Sequence, residues 1–468
     1  MPNAPPAASS LPFSPGTPAF PGTAPRIGFV TCVHPIYDLP SALQHRDSAI
    51  SGLREAGCDV IAPAMARDPQ DIPAIVDKLR SAEIDLVLFF FCTWVAEEIT
   101  LSIARQLGDV PLLLWALPYF DPSIPMPSPM TGITATGCNL RRARRSFLHR
   151  IGGVTPSQIQ AIARTARNAS VIRKLRKARF GVFGSHCPGM IDTVCDPSLL
   201  YKHLGVTTIP GDIEELLQAR NAIPGQDAFE LAARMRERVG QVEVAPECLE
   251  DQCRMLLGIQ SLIRERRLSG FTVRCWPELR DQEKATVCLA MAEMAESGIA
   301  SACEADLTAL ITSYILTSLS GQPSCTMEVT AYLEQQAALQ LAHCGSAPLC
   351  FAANPYGAAI RGHMRTGAGA MMEFGLKPGP VTIAKLLRPF ESGMKMFVGR
   401  GEVIPTHPAA RGTVATVQVK PSPAKFLQSM LDHGVEHHLA LAYGDWIEDL
   451  AQFALFAGIG WLQSEKGP

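Results

Sequence analysis

Two apolar runs, "LVLFFFCTWVA" (86–96) and "VPLLLWALPYF" (110–120), constrain this chain more than any other feature. Each is too short to span a bilayer. Each is also too apolar along its whole length for a half-exposed sheet, so both read as central strands covered on two faces. Upstream lie the β-type run "RIGFVTCVHP" (26–35), the helical "SALQHRDSAISGLREAG", the short "CDVIAPA" and the helical "IPAIVDKLRSAE". This βαβα alternation predicts a doubly wound parallel sheet, with its functional loops at the carboxyl ends of the strands.

A helix-rich junction, "TPSQIQAIARTARNASVIRKLRKA" (155–178), leads into a second unit of the same kind. "RFGVFGSHCPGMID" (179–192), "LGVTTIPGDIEELLQA" and "GFTVRCWPEL" repeat the alternation. Gly184 and Gly189 have the glycine spacing of a P-loop, but Met190 stands where its lysine belongs, so Gly189 is read as shaping a tight turn beside a cleft. From residue 346 glycines and prolines multiply between short β-branched runs, the texture of a β-rich unit. The expected organisation is a disordered leader (1–25), an N-terminal α/β domain (26–165), a central α/β domain (166–345) and a β-rich C-terminal domain (346–468). The fold class is thus α/β: two tandem doubly wound, Rossmann-like domains, then a barrel-like one.

Composition narrows the function. A net charge of −2 on 468 residues lacks the basic excess of a nucleic-acid binder. The Pro- and Ala-rich leader has neither a basic start nor an apolar core, which argues against a secretory signal. Fourteen cysteines are scattered singly without a CxxC, as expected of free thiols in a cytoplasmic protein.

The chemistry gathers after residue 300: Glu304 in "CEADL", Glu328 in "CTMEV", His343 in "LAHCG", and the pair His437–His438 in "GVEHHLALAYGD". Glu304 follows the predicted strand "SGIASACE", His343 ends "AALQLAHC" and His438 opens "HLALAYG". Charged or imidazole groups at buried strand ends cost several kcal/mol unless paired or metal-bound. A divalent cation would offset that cost; carboxylates suit manganese or magnesium, and imidazoles shift the preference towards manganese. Each residue also has an ordinary reading. Glu304 and its neighbour Asp306 fit the first turn of a helix, Glu328 a surface acid, His343 a core histidine and the pair a solvated strand start.

Taken together, "RCWPEL" (274–279), "ACEADLTALIT" (302–312), "LAHCG" (341–345), "LKPGPVTIAKL" (376–386), "HHLALAYGD" (437–445) and, more loosely, "FGSHCPGMID" (183–192) resemble the L-fucose isomerase and L-arabinose isomerase superfamily, particularly its shorter fucose isomerase-like members, from about residue 26 to 460. The resemblance implies an aldose–ketose isomerase in which two acids and a histidine hold manganese (magnesium or cobalt being alternatives) and the acids move protons through an enediol or enediolate. By motif, Glu304 and Glu328 are the two acids and His438 the terminal ligand; His343 matches a ligand of the arabinose type. It further implies a homo-oligomer, a trimer or hexamer, and a sugar substrate: L-fucose, L-arabinose, D-arabinose or a 6-modified hexose such as a sulfonated sugar. Trp276 and Trp94 are candidates to wall or stack on the sugar, and His186, Met190 and His437 to contact it. A non-catalytic sugar-binding protein of the same fold, or a metal-dependent epimerase or hydrolase, are the other readings.

Overall fold

A computed structural model describes residues 24–37, 40–118, 127–389, 393–406 and 411–465. The expected leader lies almost wholly outside them. Three sheets organise the chain. In the first, five parallel strands run in the order Asp59–Ile61, Arg26–Cys32, Leu86–Phe91, Leu112–Ala116, Leu148–Ile151. Every residue of Leu86–Phe91 and Leu112–Ala116 is buried, as helices on both faces require of central strands.

The second sheet has four parallel strands in the order Thr207–Gly211, Arg179–Phe183, Gly270–Val273, Ala300–Cys303. In both sheets the first strand in sequence lies between the second and third. That reversal opens a crevice at the carboxyl ends, the topological switch point. Helix Pro156–Lys177 joins the two units. Its first half packs Ile159, Ile162 and Ala166 into the core of the first sheet, and its second half packs Val171, Ile172 and Leu175 into the next core.

The third sheet closes on itself. Strands Lys395–Ile404, Gly379–Leu386, Leu439–Tyr443, Cys325–Leu333, Ala338–His343 and Thr413–Val419 pair antiparallel in that order, and the last pairs back to the first. The result is a six-stranded barrel, which removes the exposed edges of an open sheet. Two barrel strands, Cys325–Leu333 and Ala338–His343, precede residue 346, where the change in sequence texture begins. They contain neither glycine nor proline, so composition alone assigned them to the central unit.

Helix Leu307–Ser320 lies between the second sheet and the barrel, and its first seven residues are all buried. A helix apolar on every side needs such a sandwiched place. Its amino end therefore opens where the carboxyl ends of the second sheet meet the barrel. Among the described residues no helix is long and apolar enough to cross a membrane, and the fourteen cysteines are free.

A clamp holds the barrel side to the joining helix. Asp449, 1% exposed, accepts hydrogen bonds from Arg164 (2.7 Å at Nε) and Asn168 (2.9 Å). Asp449→Ala leaves Asn168 buried with one partner fewer and the guanidinium of Arg164 unpaired. Because Arg164 is partly exposed, the expected loss is about 2 kcal/mol, seen as a lower thermal midpoint. An unchanged midpoint would mean that the units hold together without this clamp.

Candidate active site

Three elements of the second unit end at one place. After strand Arg179–Phe183 the chain turns at Gly184. Its φ of 79° favours glycine, and so does the nearness of Arg274, whose Cβ would lie 2.9 Å from any Cβ added here. The loop that follows carries Asp192. After Gly270–Val273 comes Trp276, and after Ala300–Cys303 comes Glu304. Glu304 and Ala305 both have left-handed backbones, φ 61° and 58°, a conformation that costs a non-glycine residue about 1–3 kcal/mol. Hydrogen bonds from Ala305 N to Val273 O and from Asp306 N to Cys303 O, both 3.1 Å, hold the turn. It swings Glu304 out of the strand line and lets Asp306 begin the helix.

The two acids of this segment thus divide their work. Asp306 is the helix N-cap, its Oδ1 accepting from Ala309 N at 2.8 Å. Glu304, 12% exposed, faces the histidines. The helix-start reading fits Asp306 alone.

From the barrel side, His438 Nε2 lies 3.2 Å and His437 Nε2 3.9 Å from Glu304 Oε2. The other nitrogen of each ring is held by its own carboxylate: His437 Nδ1 by Asp192 at 2.6 Å and His438 Nδ1 by Asp306 at 3.1 Å. Two carboxylate-anchored imidazoles therefore aim at one carboxylate oxygen. The turn carrying Asp192 is itself pinned, because Arg388 Nη1 donates to Ile191 O and Val194 O, both at 3.1 Å.

His343, 4% exposed at the end of its strand, brings its Nε2 to 3.4 Å from His438 Nε2. Its Nδ1 is buried and has no partner among the described residues, none of which fixes its tautomer as Asp306 fixes that of His438. Trp276 Nε1 donates to Glu304 Oε1 at 3.3 Å, which brings that predicted wall residue to the site. His437, expected only as a substrate contact, joins Glu304 and His438 as the group whose ligand atoms lie within 4.8 Å of one another.

Glu328 stands outside that compact group. It is half-buried on the strand between those of His343 and His438, and among the described residues no hydrogen bond or ion pair engages its side chain. It is nevertheless close by: after burial, the Glu304 and Glu328 carboxylates are what push the Cys344 thiol up, to about 12. Trp94 stacks on His34 (5.0 Å between ring centres) and donates to Glu97, and neither partner belongs to the Glu304 group. His186 is exposed and Met190 half-buried in the Asp192 loop, with no hydrogen bond to Glu304 or the histidine pair. Asp192, Asp306 and Lys385, which meets Asp306 at 2.9 Å, have no part at the site in the sequence analysis, where Asp306 is read only as a helix start. The available signal for Lys385 was a lone lysine inside the apolar run "VTIAKL".

Burial works against ionisation of Glu304, but hydrogen bonds from His437 and His438 outweigh it and hold the carboxyl below its usual range. Burial likewise opposes ionisation of Asp306, and Lys385, followed by His438, outweighs it. Burial, aided by His438, pushes His343 down to about 3, so its ring is neutral at ordinary pH. Burial disfavours charge on His437 too, yet Glu304 and Asp192 raise it to about 9. With both imidazoles neutral and protonated at Nδ1, lone pairs of His438 Nε2, His343 Nε2 and Glu304 Oε2 would confront one another. A proton or a cation must lie among them, and one carboxylate with several imidazoles is a fitting donor set for a divalent transition metal.

This is a mixed α/β protein in which residues at the carboxyl ends of a parallel sheet and residues of a β-rich region meet in a carboxylate–imidazole cluster. Residues 341–463 match the family described as L-fucose isomerase, C-terminal domain. The chain is 24% identical over 421 residues to sulfoquinovose isomerase from Priestia megaterium, covering 89% of this chain and 94% of that protein. It is 23% identical over 388 residues to sulfoquinovose isomerase from Alkalicoccus urumqiensis, covering 82% and 87%. Among solved structures, an ABC-transporter periplasmic solute-binding protein from Actinobacillus succinogenes 130z with bound D-allose aligns over 64% of this chain and 92% of its own at 10% identity; its TM-score of 0.18 carries no weight for fold or ligand. These similarities agree with the resemblance to fucose isomerase-like proteins that the motifs carry.

The raised pKa of His437 has a thermodynamic consequence in cation-free protein. Its folded value of about 9 lies above the ordinary 6.5, so the stability it contributes is fully present below 6.5 and is lost as pH rises through 9. Chelator-treated wild type should lose thermal midpoint across this window more steeply than His437→Gln. Parallel curves would remove the ionic contacts of His437.

Proposed function

We propose that this protein is a divalent-cation-dependent sugar isomerase that interconverts an aldose and a ketose. The observation that carries the reading is the convergence of Glu304, His437 and His438, with two of the three fixed by carboxylates of their own. Similarity to sulfoquinovose isomerases along most of the chain supports the sugar isomerase class. Manganese suits the mixed oxygen and nitrogen donors, with cobalt next; magnesium fits less well as imidazoles are added. Glu304, His437 and His438 would hold the cation, with His343 beside them.

When bound, the cation would supply Lewis-acid polarisation of the sugar's carbonyl. The chain's own groups would do the rest. Glu304, kept ionised by its imidazoles, has its Oε1 anchored to the Trp276 indole, so the carboxylate keeps one orientation. Glu328, tied to no basic side chain, is free to take the C2 proton of an open-chain aldose and return it to C1, while the O2 hydroxyl proton passes to O1. That exchange gives the ketose through an enediol, with atoms and charge balanced. Trp276 offers a flat apolar wall.

Of the sugars admitted by sequence, a sulfonated hexose has the support of the relatives' names. Arg280 adds a chemical reason. Its guanidinium, paired with Asp281 through Nε and Nη2 at 2.6 and 2.9 Å, lies over the Trp276 ring, 5.0 Å from the centre, and its Nη1 edge would receive a substrate's anionic end.

The acids can be separated by experiment. Glu304→Gln should lose both manganese and turnover, whereas Glu328→Gln should keep manganese, by elemental analysis after dialysis, and lose about 10³-fold in turnover. Near-normal isomerisation by Glu304→Gln would end the proposal. Arg280→Met should raise KM for sulfoquinovose at least tenfold while leaving an unsulfonated aldose little changed; equal effects on both would remove Arg280 from substrate recognition.

A further inference from the structure

Lys385 lies in the barrel strand Gly379–Leu386, among Ile383, Ala384 and Leu386, and has no exposed side-chain surface. An ammonium in such a place costs several kcal/mol unless it is fully partnered. Its ionic partner is Asp306, whose Oδ2 lies 2.9 Å from Nζ. The same Oδ2 faces His438 Nδ1 at 3.1 Å. The other oxygen, Oδ1, accepts from Ala309 N at 2.8 Å and Thr308 Oγ1 at 2.9 Å. Both oxygens are therefore pinned, and the carboxylate cannot turn away from the imidazole.

The sequence segment "LKPGPVTIAKL" contributes nothing directly to the Glu304 group, yet its lysine completes a chain across the junction of sheet and barrel: Lys385 to Asp306 to His438 to Glu304. We infer that Lys385 is a positioning residue that acts through Asp306 to keep the neutral His438 ring protonated at Nδ1, leaving Nε2 as the atom presented to Glu304. This rests on the cation centre proposed above for its consequence in binding, though the fixed tautomer is a property of the protein alone. The ammonium, 2.9 Å from Oδ2, locks the direction in which that acceptor points. Histidines that ligate metals gain both orientation and basicity from such partners, and loss of the partner commonly weakens binding 10–100-fold.

The test uses full-length wild type, K385M, D306N and the double variant. Manganese affinity is read by calorimetry, and the His438 tautomer by nitrogen NMR of cation-free, histidine-labelled protein at alkaline pH. K385M and D306N should each weaken manganese binding 10–100-fold, and the double variant should bind no more weakly than D306N, because Lys385 acts only through that carboxylate. The His438 signal should report Nδ1–H in wild type and a mixture of tautomers in D306N. An affinity for K385M within twofold of wild type, or losses that multiply in the double variant, would overturn the inference. If K385M does not fold, the D306N spectrum decides, and an unchanged tautomer there overturns it. A wild type that takes up no manganese, with the tautomer still responding to D306N, would leave the positioning role standing and sink the metal reading instead.

Discussion

The arrangement turns on one electrostatic conflict. Glu304 Oε2, His438 Nε2 and His343 Nε2 crowd together in a space almost closed to water. A neutral His438 with its proton on Nδ1 would turn the Nε2 lone pair towards Glu304 Oε2, an opposition that positive charge between them relieves. In cation-free protein, protons serve: burial would strip them from His437 and His438, but Glu304, Asp192 and Asp306 retain them. A divalent cation would compete with those protons, which ties its binding to rising pH.

The fold places this conflict where rigid elements can sustain it. The carboxyl ends of Arg179–Phe183, Gly270–Val273 and Ala300–Cys303 supply Asp192, Trp276 and Glu304, and closed-barrel strands or their approaches supply His343, Lys385 and the histidine pair. No single unit holds all of these groups. The buried helix Leu307–Ser320 fills the space between sheet and barrel, and its capped start delivers Asp306 to the junction. The left-handed pair Glu304–Ala305 is the local expense of turning from strand to helix within two residues, and the hydrogen bonds of Ala305 and Asp306 to neighbouring strand ends sustain it.

Much of this was legible in the sequence. The two apolar runs became central parallel strands because full burial leaves no polar face to alternate. Glu304, His438 and Trp276 stood out as polar or aromatic groups beside predicted strand ends, and the structure brings their side chains together. What escaped depends on partners distant in sequence. His437 read as a substrate contact because the carboxylate that orients it, Asp192, lies in another unit 245 positions earlier. Asp306 looked like a helix cap and is one; its second oxygen carries a role that local pattern cannot reveal. The strands Cys325–Leu333 and Ala338–His343 escaped assignment to the barrel because closure of a sheet leaves no mark on composition.

The Lys385–Asp306 pair bears on whether such burial serves stability or the site. Replacing a buried ion pair by apolar groups of similar shape is often neutral or stabilising, since desolvation offsets most of the attraction. Ile383, two residues away on the same strand face, and Leu307, next to Asp306, are buried, an apolar interior that would accommodate apolar replacements of both partners. Stability alone therefore gives little reason for an ammonium at the centre of this barrel strand. A reason appears only when His438 is included. Removing both charges would leave its Nδ1–H without an acceptor in a dry interior, and the ring free to present either nitrogen to Glu304. The pair is best understood as the support of one imidazole rather than as a stabilising contact in its own right.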